Sequence, residues 1–189
     1  AHAVYDRFFP DPQAVDSFLE EIHFTEWNAR QDAGRPFAEG IAELSKKFPQ
    51  HAELIQAYHT YWEESITEIL FDTIEIAHKL KSAGWDLYLL SNFSTETFPL
   101  MQKYYNFAQL FDDMIISGEH KIIKPDPAIY QLTLNRINRE AHECVFIDDS
   151  LPNIEAAQKL GFRTIKFQSP EQLDKDLEKL LGQYQIYGK

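Results

Sequence analysis

Apolar side chains recur every three or four residues through the first third of the chain, and afterwards come in short β-branched or aromatic bursts. Val15, Phe18, Leu19 and Ile22 fall on one helical face, as do Phe37, Ile41, Leu44 and Phe48, and then Leu54, Tyr58, Tyr61 and Trp62. No strand is expected here. From residue 74 the pattern predicts a helix over 74–83 closed by Gly84, then a strand in WDLYLL leading to Ser91. A helix over 95–105, a strand MIIS, a helix opened by Asp126 and Pro127, and a strand CVFI follow. A helix over 152–160 stopped by Gly161, a strand RTIKF and a last helix carrying Leu173, Leu177 and Leu181 complete the series. Ser169, Pro170 and Gln172 open that helix with capping-box spacing.

Strands alternating with helices predict an α/β fold: a doubly wound parallel, Rossmann-like sheet preceded by a small all-helical domain. The pattern changes at residues 66–73, so the expected domains are 1–70 (helical) and 71–189 (α/β). At 189 residues the chain can bury a substantial core. With 30 acidic against 18 basic side chains and a formal charge of −12, its surface disfavours nucleic acid and anionic lipid. No run of about 18 apolar residues and no secretory-type leader is present in the sequence, so a cytoplasmic location is expected. Cys144 lies in an apolar run and is expected as a small core residue.

Three groups acquire one topological address from this order. Ser91 and Asn92 end the first strand, Lys124 follows the second, and Asp148 and Asp149 end the third. In an open parallel sheet such ends line one crevice. Paired carboxylates suit a hard cation such as Mg²⁺. An ammonium and a hydroxyl beside them suit the oxygens of a phosphate, and the chemistry indicated is phosphoryl transfer. The seven histidines form no zinc-ligand pattern.

LLSN at 89–92, IIKPDPAIY at 122–130 and VFIDDSLPNI at 145–154 resemble, in order and spacing, the second, third and fourth motifs of the haloacid dehalogenase (HAD) superfamily. The likeness is to its phosphatase-like hydrolases with a helical cap after the first strand. The resemblance implies a phosphate contact by Ser91, neutralisation of phosphate and nucleophile by Lys124, and Mg²⁺ ligation by Asp148 with Asp149 assisting. Asn92 and Asn153 would support the crevice. In TEWNARQDAGRPF, which holds Trp27, Asn28, Asp32 and Arg35, related caps face the crevice and select the leaving group. Arg35 is then a candidate substrate contact that clamps an anion, the alternative being a solvated arginine flanking a helix.

The sequence departs from that family in one respect. Such hydrolases begin with a strand ending in an aspartate nucleophile, and this sequence starts where the cap should start. Asp6 is followed by no glycine turn, and Asp72 in ILFDT reads as a helix N-cap with Glu75 at the capping-box position. In the related fold the first strand lies between those ending in Ser91 and Asp148. Its removal would leave a gap of about 10 Å, two strand spacings. The expectation is that the natural N-terminus carries the missing strand and aspartate. QYQIYG at 183–188 could fill the vacancy as a strand, but it contains no carboxylate.

The function expected is a Mg²⁺-dependent phosphatase of a small phosphate monoester, acting through an aspartyl-phosphate intermediate supplied by that upstream residue. The alternatives are a 2-haloacid dehalogenase, against which the acid pair would repel the substrate's own carboxylate, and a catalytically inactive binding module. A receiver-like domain orders its acids first and its lysine last, the reverse of this chain. The expected partner is a small phosphorylated metabolite, with no nucleic acid or membrane. The expected assembly is a monomer or weak homodimer, the aromatic-rich cap leaving room for a subunit contact.

Overall fold

The computed structural model describes residues 1–104 and 106–182. The elements, in chain order, are α1 (His2–Tyr5), α2 (Pro12–Glu21), α3 (Phe24–Asp32), α4 (Phe37–Lys47), α5 (Ala52–Thr60), α6 (Phe71–Ser82), β1 (Tyr88–Ser91), α7 (Phe98–Tyr104), β2 (Asp113–Ile116), α8 (Ser117–His120), α9 (Pro127–Ile137), β3 (Val145–Asp148), α10 (Leu151–Lys159), β4 (Arg163–Lys166) and α11 (Pro170–Leu181). The chain divides into two compact units. The first gathers the described residues of Ala1–Ile69, Asn92–Tyr105 and Ile116–Lys121; the second gathers those of Leu70–Ser91, Asn106–Ile115 and Ile122–Lys189. Two segments distant in sequence thus fold with the N-terminal helices.

The helical unit closes around the periodic residues. Val15, Phe18, Ile22, Trp27, Phe37, Leu44, Tyr58 and Trp62 are buried in one core with Val4, Tyr5 and Ile55, whereas Tyr61 is exposed. Edge-to-face rings join its helices, for instance Tyr5 on Phe18 at 5.0 Å and Phe24 on Tyr58 at 4.8 Å. The first helix of this core to be capped by a side chain is α2, where Asp11 accepts from the Ala14 N–H at 2.9 Å and Pro12 supplies the first turn.

In the α/β unit, β3 and β4 pair in parallel with Val145 opposite Arg163 and Asp148 opposite Lys166. β1 pairs with β2 in a second two-stranded sheet. Successive side chains of a strand point to opposite faces. Val145 accordingly packs with Ile76, Leu80, Leu173 and Leu177 of α6 and α11, while Phe146 packs with Ile129, Tyr130 and Ala157 of α9 and α10. Helices thus cover both faces, which is the doubly wound arrangement. Among the described residues β1 and β3 each have one strand partner. Ile147, in the middle of an apolar strand, is 37% exposed.

Several boundaries differ from the sequence-based ones. α6 begins at Phe71 rather than 74, so Asp72 lies in its first turn, where its charge favours the helix dipole, and is not the N-cap. The helix near 95 begins only at Phe98, after a turn in which the Ser94 hydroxyl accepts from the Glu96 N–H. Ser117 leaves the expected strand MIIS and starts α8. Cys144 precedes β3 half-buried rather than in the core, its thiol pushed up by burial with the Glu143 charge adding to the effect. At α11, Ser169 accepts from the Gln172 N–H at 3.2 Å as expected, but Gln172 reaches back to the Gln168 N–H at 2.9 Å, one residue further out than a capping box. Residues 183–188 and position 105, where a strand and a helix end were expected, lie outside the described residues.

Candidate active site at the strand ends

The carboxylate of Asp148 is the hub of the α/β unit's polar cluster. It ends β3 and is 9% exposed. Its Oδ2 accepts from the Lys124 ammonium at 2.7 Å. Its Oδ1 accepts from the Ser150 N–H at 2.8 Å and from Asn153 Nδ2 at 3.0 Å. Its main-chain carbonyl accepts from the Phe167 N–H at 2.9 Å, one residue beyond β4. A buried charge is tolerable only with this degree of pairing.

Local sequence explains the convergence. The β3 run of apolar and aromatic residues ends at Asp148, and α10 then opens from Ser150 at the N-cap position with Pro152 in its first turn. That places Asn153, itself buried, one turn in and facing back to the carboxylate. Tyr130 of α9 donates its hydroxyl to the Asn153 carbonyl at 3.0 Å. Burial pushes the Tyr130 hydroxyl up from its ordinary value, with the Asp148 charge acting in the same direction, so it remains a donor at neutral pH.

Lys124 follows β2 and α8 in the chain and precedes α9. Its ammonium donates both to Asp148 and to the Leu90 carbonyl at 2.9 Å, and it lies 5.6 Å from the centre of the Phe146 ring. Lys124 and Asp148 side chains are 10% and 6% exposed. Leu90 is the residue before Ser91, which ends β1. The ends of β1 and β3 therefore meet the same ammonium. Asp149 follows β3 and is exposed.

Two expected site residues belong to the other unit. Asn92 begins its Asn92–Tyr105 segment. Arg35 donates through Nε to Gln31 at 2.7 Å and through Nη1 to Glu43 at 2.6 Å, leaving only the buried Nη2 without a partner among the described residues. Its fork is thus engaged with neighbouring side chains of the helical unit. Trp27 donates its indole N–H to the Gly40 carbonyl at 2.9 Å and Asn28 donates to Asp32 at 3.1 Å. The Leu90 carbonyl and the Tyr130 hydroxyl were not found by sequence reasoning. A main-chain acceptor carries no side-chain signal, and a tyrosine on an apolar helix face reads as core.

Magnesium is a fitting cation for this donor set. It takes oxygen ligands and is usually held by one or two carboxylates, with water and phosphate oxygens completing its shell. An ionised carboxylate offers about four acceptor positions. Three of them on Asp148 are occupied by hydrogen-bond donors, so a position on Oδ2 and the exposed carboxylate of Asp149 are the available oxygens. Among the described residues no group of three or more His, Cys, Asp or Glu is placed to hold a metal ion. No helix among those residues is long and apolar enough to cross a membrane.

A family model described as haloacid dehalogenase-like hydrolase matches residues 6–161. The chain belongs to that family. Acyl-CoA dehydrogenase family member 10 of Mus musculus is 31% identical over 181 residues, which are 93% of this chain and 15% of that protein. (S)-2-haloacid dehalogenase 4A of Burkholderia cepacia is 33% identical over 95 residues, 50% of this chain and 41% of the enzyme. This haloacid dehalogenase-like chain therefore spans well under two thirds of the length of these curated relatives. A HAD family enzyme of Bacteroides thetaiotaomicron, solved in complex with magnesium and inorganic phosphate, is similar at a TM-score of 0.62 and 25% identity, covering 74% of this chain and 73% of that one.

Proposed function

We propose that this HAD-like hydrolase is a Mg²⁺-dependent phosphatase of a small phosphate monoester. The observation that carries the reading is the Lys124 ammonium held between the carbonyl that precedes Ser91 and the carboxylate of Asp148. A fixed cation at that point attracts a phosphate dianion and opposes the charge that develops on its oxygens. The Ser91 hydroxyl would hold a phosphate oxygen, with Asn92 beside it in sequence. Asp148 and Asp149 would hold Mg²⁺, which supplies charge neutralisation and orientation when bound. The magnesium and phosphate complex of the similar Bacteroides enzyme supports the same reading.

A haloacid dehalogenase is the second reading, favoured by the Burkholderia relative. The paired acids weigh against it, because a haloacid's carboxylate would be repelled unless a cation intervened. Assay of p-nitrophenyl phosphate and 2-chloropropionate by the natural protein separates the two. The proposal expects phosphate release that rises with Mg²⁺, stops with EDTA and is lost in Lys124→Met. Halide release without a metal requirement, or phosphate release indifferent to Mg²⁺ and EDTA, would overturn it.

A further inference from the structure

Three stretches of main chain meet in the helical unit at the Ser117 hydroxyl. Ser117 begins α8 and is fully buried. Its hydroxyl donates at 2.6 Å to the carbonyl of Asp32, which closes α3 and has no helical N–H ahead of it to accept from. The same oxygen accepts from the Phe93 N–H at 2.8 Å. Gly118, the next residue, donates its own N–H to the Phe93 carbonyl at 3.2 Å. Both main-chain polar groups of Phe93, the residue after Asn92, are thus held by one dipeptide.

The crossing is tight. A β-carbon on Gly118 would lie 2.8 Å from the Phe93 carbonyl oxygen and 3.0 Å from the Thr95 nitrogen, and one on Gly34 would lie 2.4 Å from the Gly118 carbonyl oxygen. Backbone therefore rests directly on backbone where the end of α3, the start of α8 and residues 93–95 come together. The Phe93 ring is closed in by Trp62 and Phe98, 5.5 Å from each. Further along the same segment, the Glu96 carboxylate accepts from the Phe37 N–H at the start of α4.

We propose that Ser117 is a positioning residue for Asn92: by holding the Phe93 N–H against the end of α3, its hydroxyl fixes the main chain that carries the Asn92 side chain. The peptide between Asn92 and Phe93 is planar, so a bond to its N–H orients the whole unit back to the Asn92 α-carbon. The inference rests on the phosphatase reading, in which Asn92 stands beside Ser91 at the phosphate. Removing the hydroxyl takes this partner from two main-chain groups at once, and buried groups in that state shift to find others.

Titration of the chain with inorganic phosphate in the presence of Mg²⁺, read by the amide resonances of Ser91, Asn92 and Lys124, provides the test. Ser117→Ala should weaken phosphate binding about tenfold and abolish the phosphate-induced shift of the Asn92 side-chain amide. Tyr5→Phe is the control for lost stability, since it removes from the same unit the bond of a buried hydroxyl to the Leu54 carbonyl at 3.2 Å. It should change phosphate binding by less than about twofold. Where Ser117→Ala does not fold, Ser117→Cys keeps the side chain's shape with a weaker donor and acceptor, and should weaken binding about threefold. Phosphate affinity and an Asn92 response that survive loss of the hydroxyl overturn the proposal. So does an equal loss of affinity in Tyr5→Phe, which would make the Ser117 bonds a matter of stability alone. Failure of the phosphatase reading would appear differently, as no phosphate response at Ser91 or Lys124 in the wild type, and would overturn both.

Discussion

Replacing Lys124 by methionine keeps much of the side chain's volume but removes the ammonium from a pair whose members are 10% and 6% exposed. The variant leaves the Asp148 Oδ2 and the Leu90 carbonyl without this donor. Breaking a buried ion pair from one side costs about 3–5 kcal/mol, because the remaining charge stays desolvated. Asp148 keeps its bonds from Ser150 and Asn153, which places the expected loss toward the lower end, about 3 kcal/mol. With a urea slope of roughly 2 kcal/mol/M, the unfolding midpoint falls by about 1.5 M. Urea unfolding at pH 7 followed by circular dichroism measures the loss. Amide hydrogen exchange of β3 and β4 reads the α/β unit by itself. Adding Asp148→Asn to Lys124→Met removes the stranded charge, so the double variant should lose less than the sum of the two single ones. A loss below about 1 kcal/mol for Lys124→Met, or strict additivity, would refute the argument that Asp148 is a buried charge held by this lysine.

Asp32→Asn should act in the opposite direction. Its carboxyl is raised to about 6 in the fold against 3.8 ordinarily, so the folded state prefers the proton, and the stability this confers is full below about pH 4 and lost as pH rises through 6. The amide variant should therefore gain about 1–3 kcal/mol over wild type at pH 7 and nothing at pH 4 in paired urea titrations; an equal gain at both values would contradict the sign. Gly34→Ala meets two obstacles at once: a φ of +87° and a β-carbon only 2.4 Å from the Gly118 carbonyl oxygen. Gly182→Ala has a φ of +60° and nothing within 4 Å. Thermal unfolding should show a loss of roughly 2 kcal/mol or more at Gly34 and about 1 kcal/mol at Gly182, and equal losses would show that the Gly118 contact relaxes freely.

Much of the fold was legible because burial imposes periodicity. The faces of α2, α4 and α5 and the strands at YLLS, VFID and RTIK are each an apolar pattern bounded by a turn signal. The order of Ser91, Lys124 and Asp148 along the chain gave reason to look for them together, and the Lys124 ammonium does bond both the Leu90 carbonyl beside Ser91 and the Asp148 carboxylate. What escaped the sequence depends on partners distant in the chain. Nothing in MIIS shows that the Ser117 hydroxyl will bond to the Asp32 carbonyl, 85 residues away, and turn the strand into α8. Nothing around Arg35 shows that Glu43 will occupy its fork. Nothing near Glu96 shows that its carboxylate will accept from the Phe37 N–H at 2.8 Å, 59 residues away.

The central claim, that the ends of β1 and β3 share a phosphate site organised by Lys124, is tested most directly by amide chemical shifts of this chain during titration with inorganic phosphate and Mg²⁺. The account predicts saturable shifts at Ser91, Lys124 and Asp149 that need both additions, reverse with EDTA and vanish in Lys124→Met. Phosphate-induced shifts confined to other residues, or none at these three with both present, would contradict it.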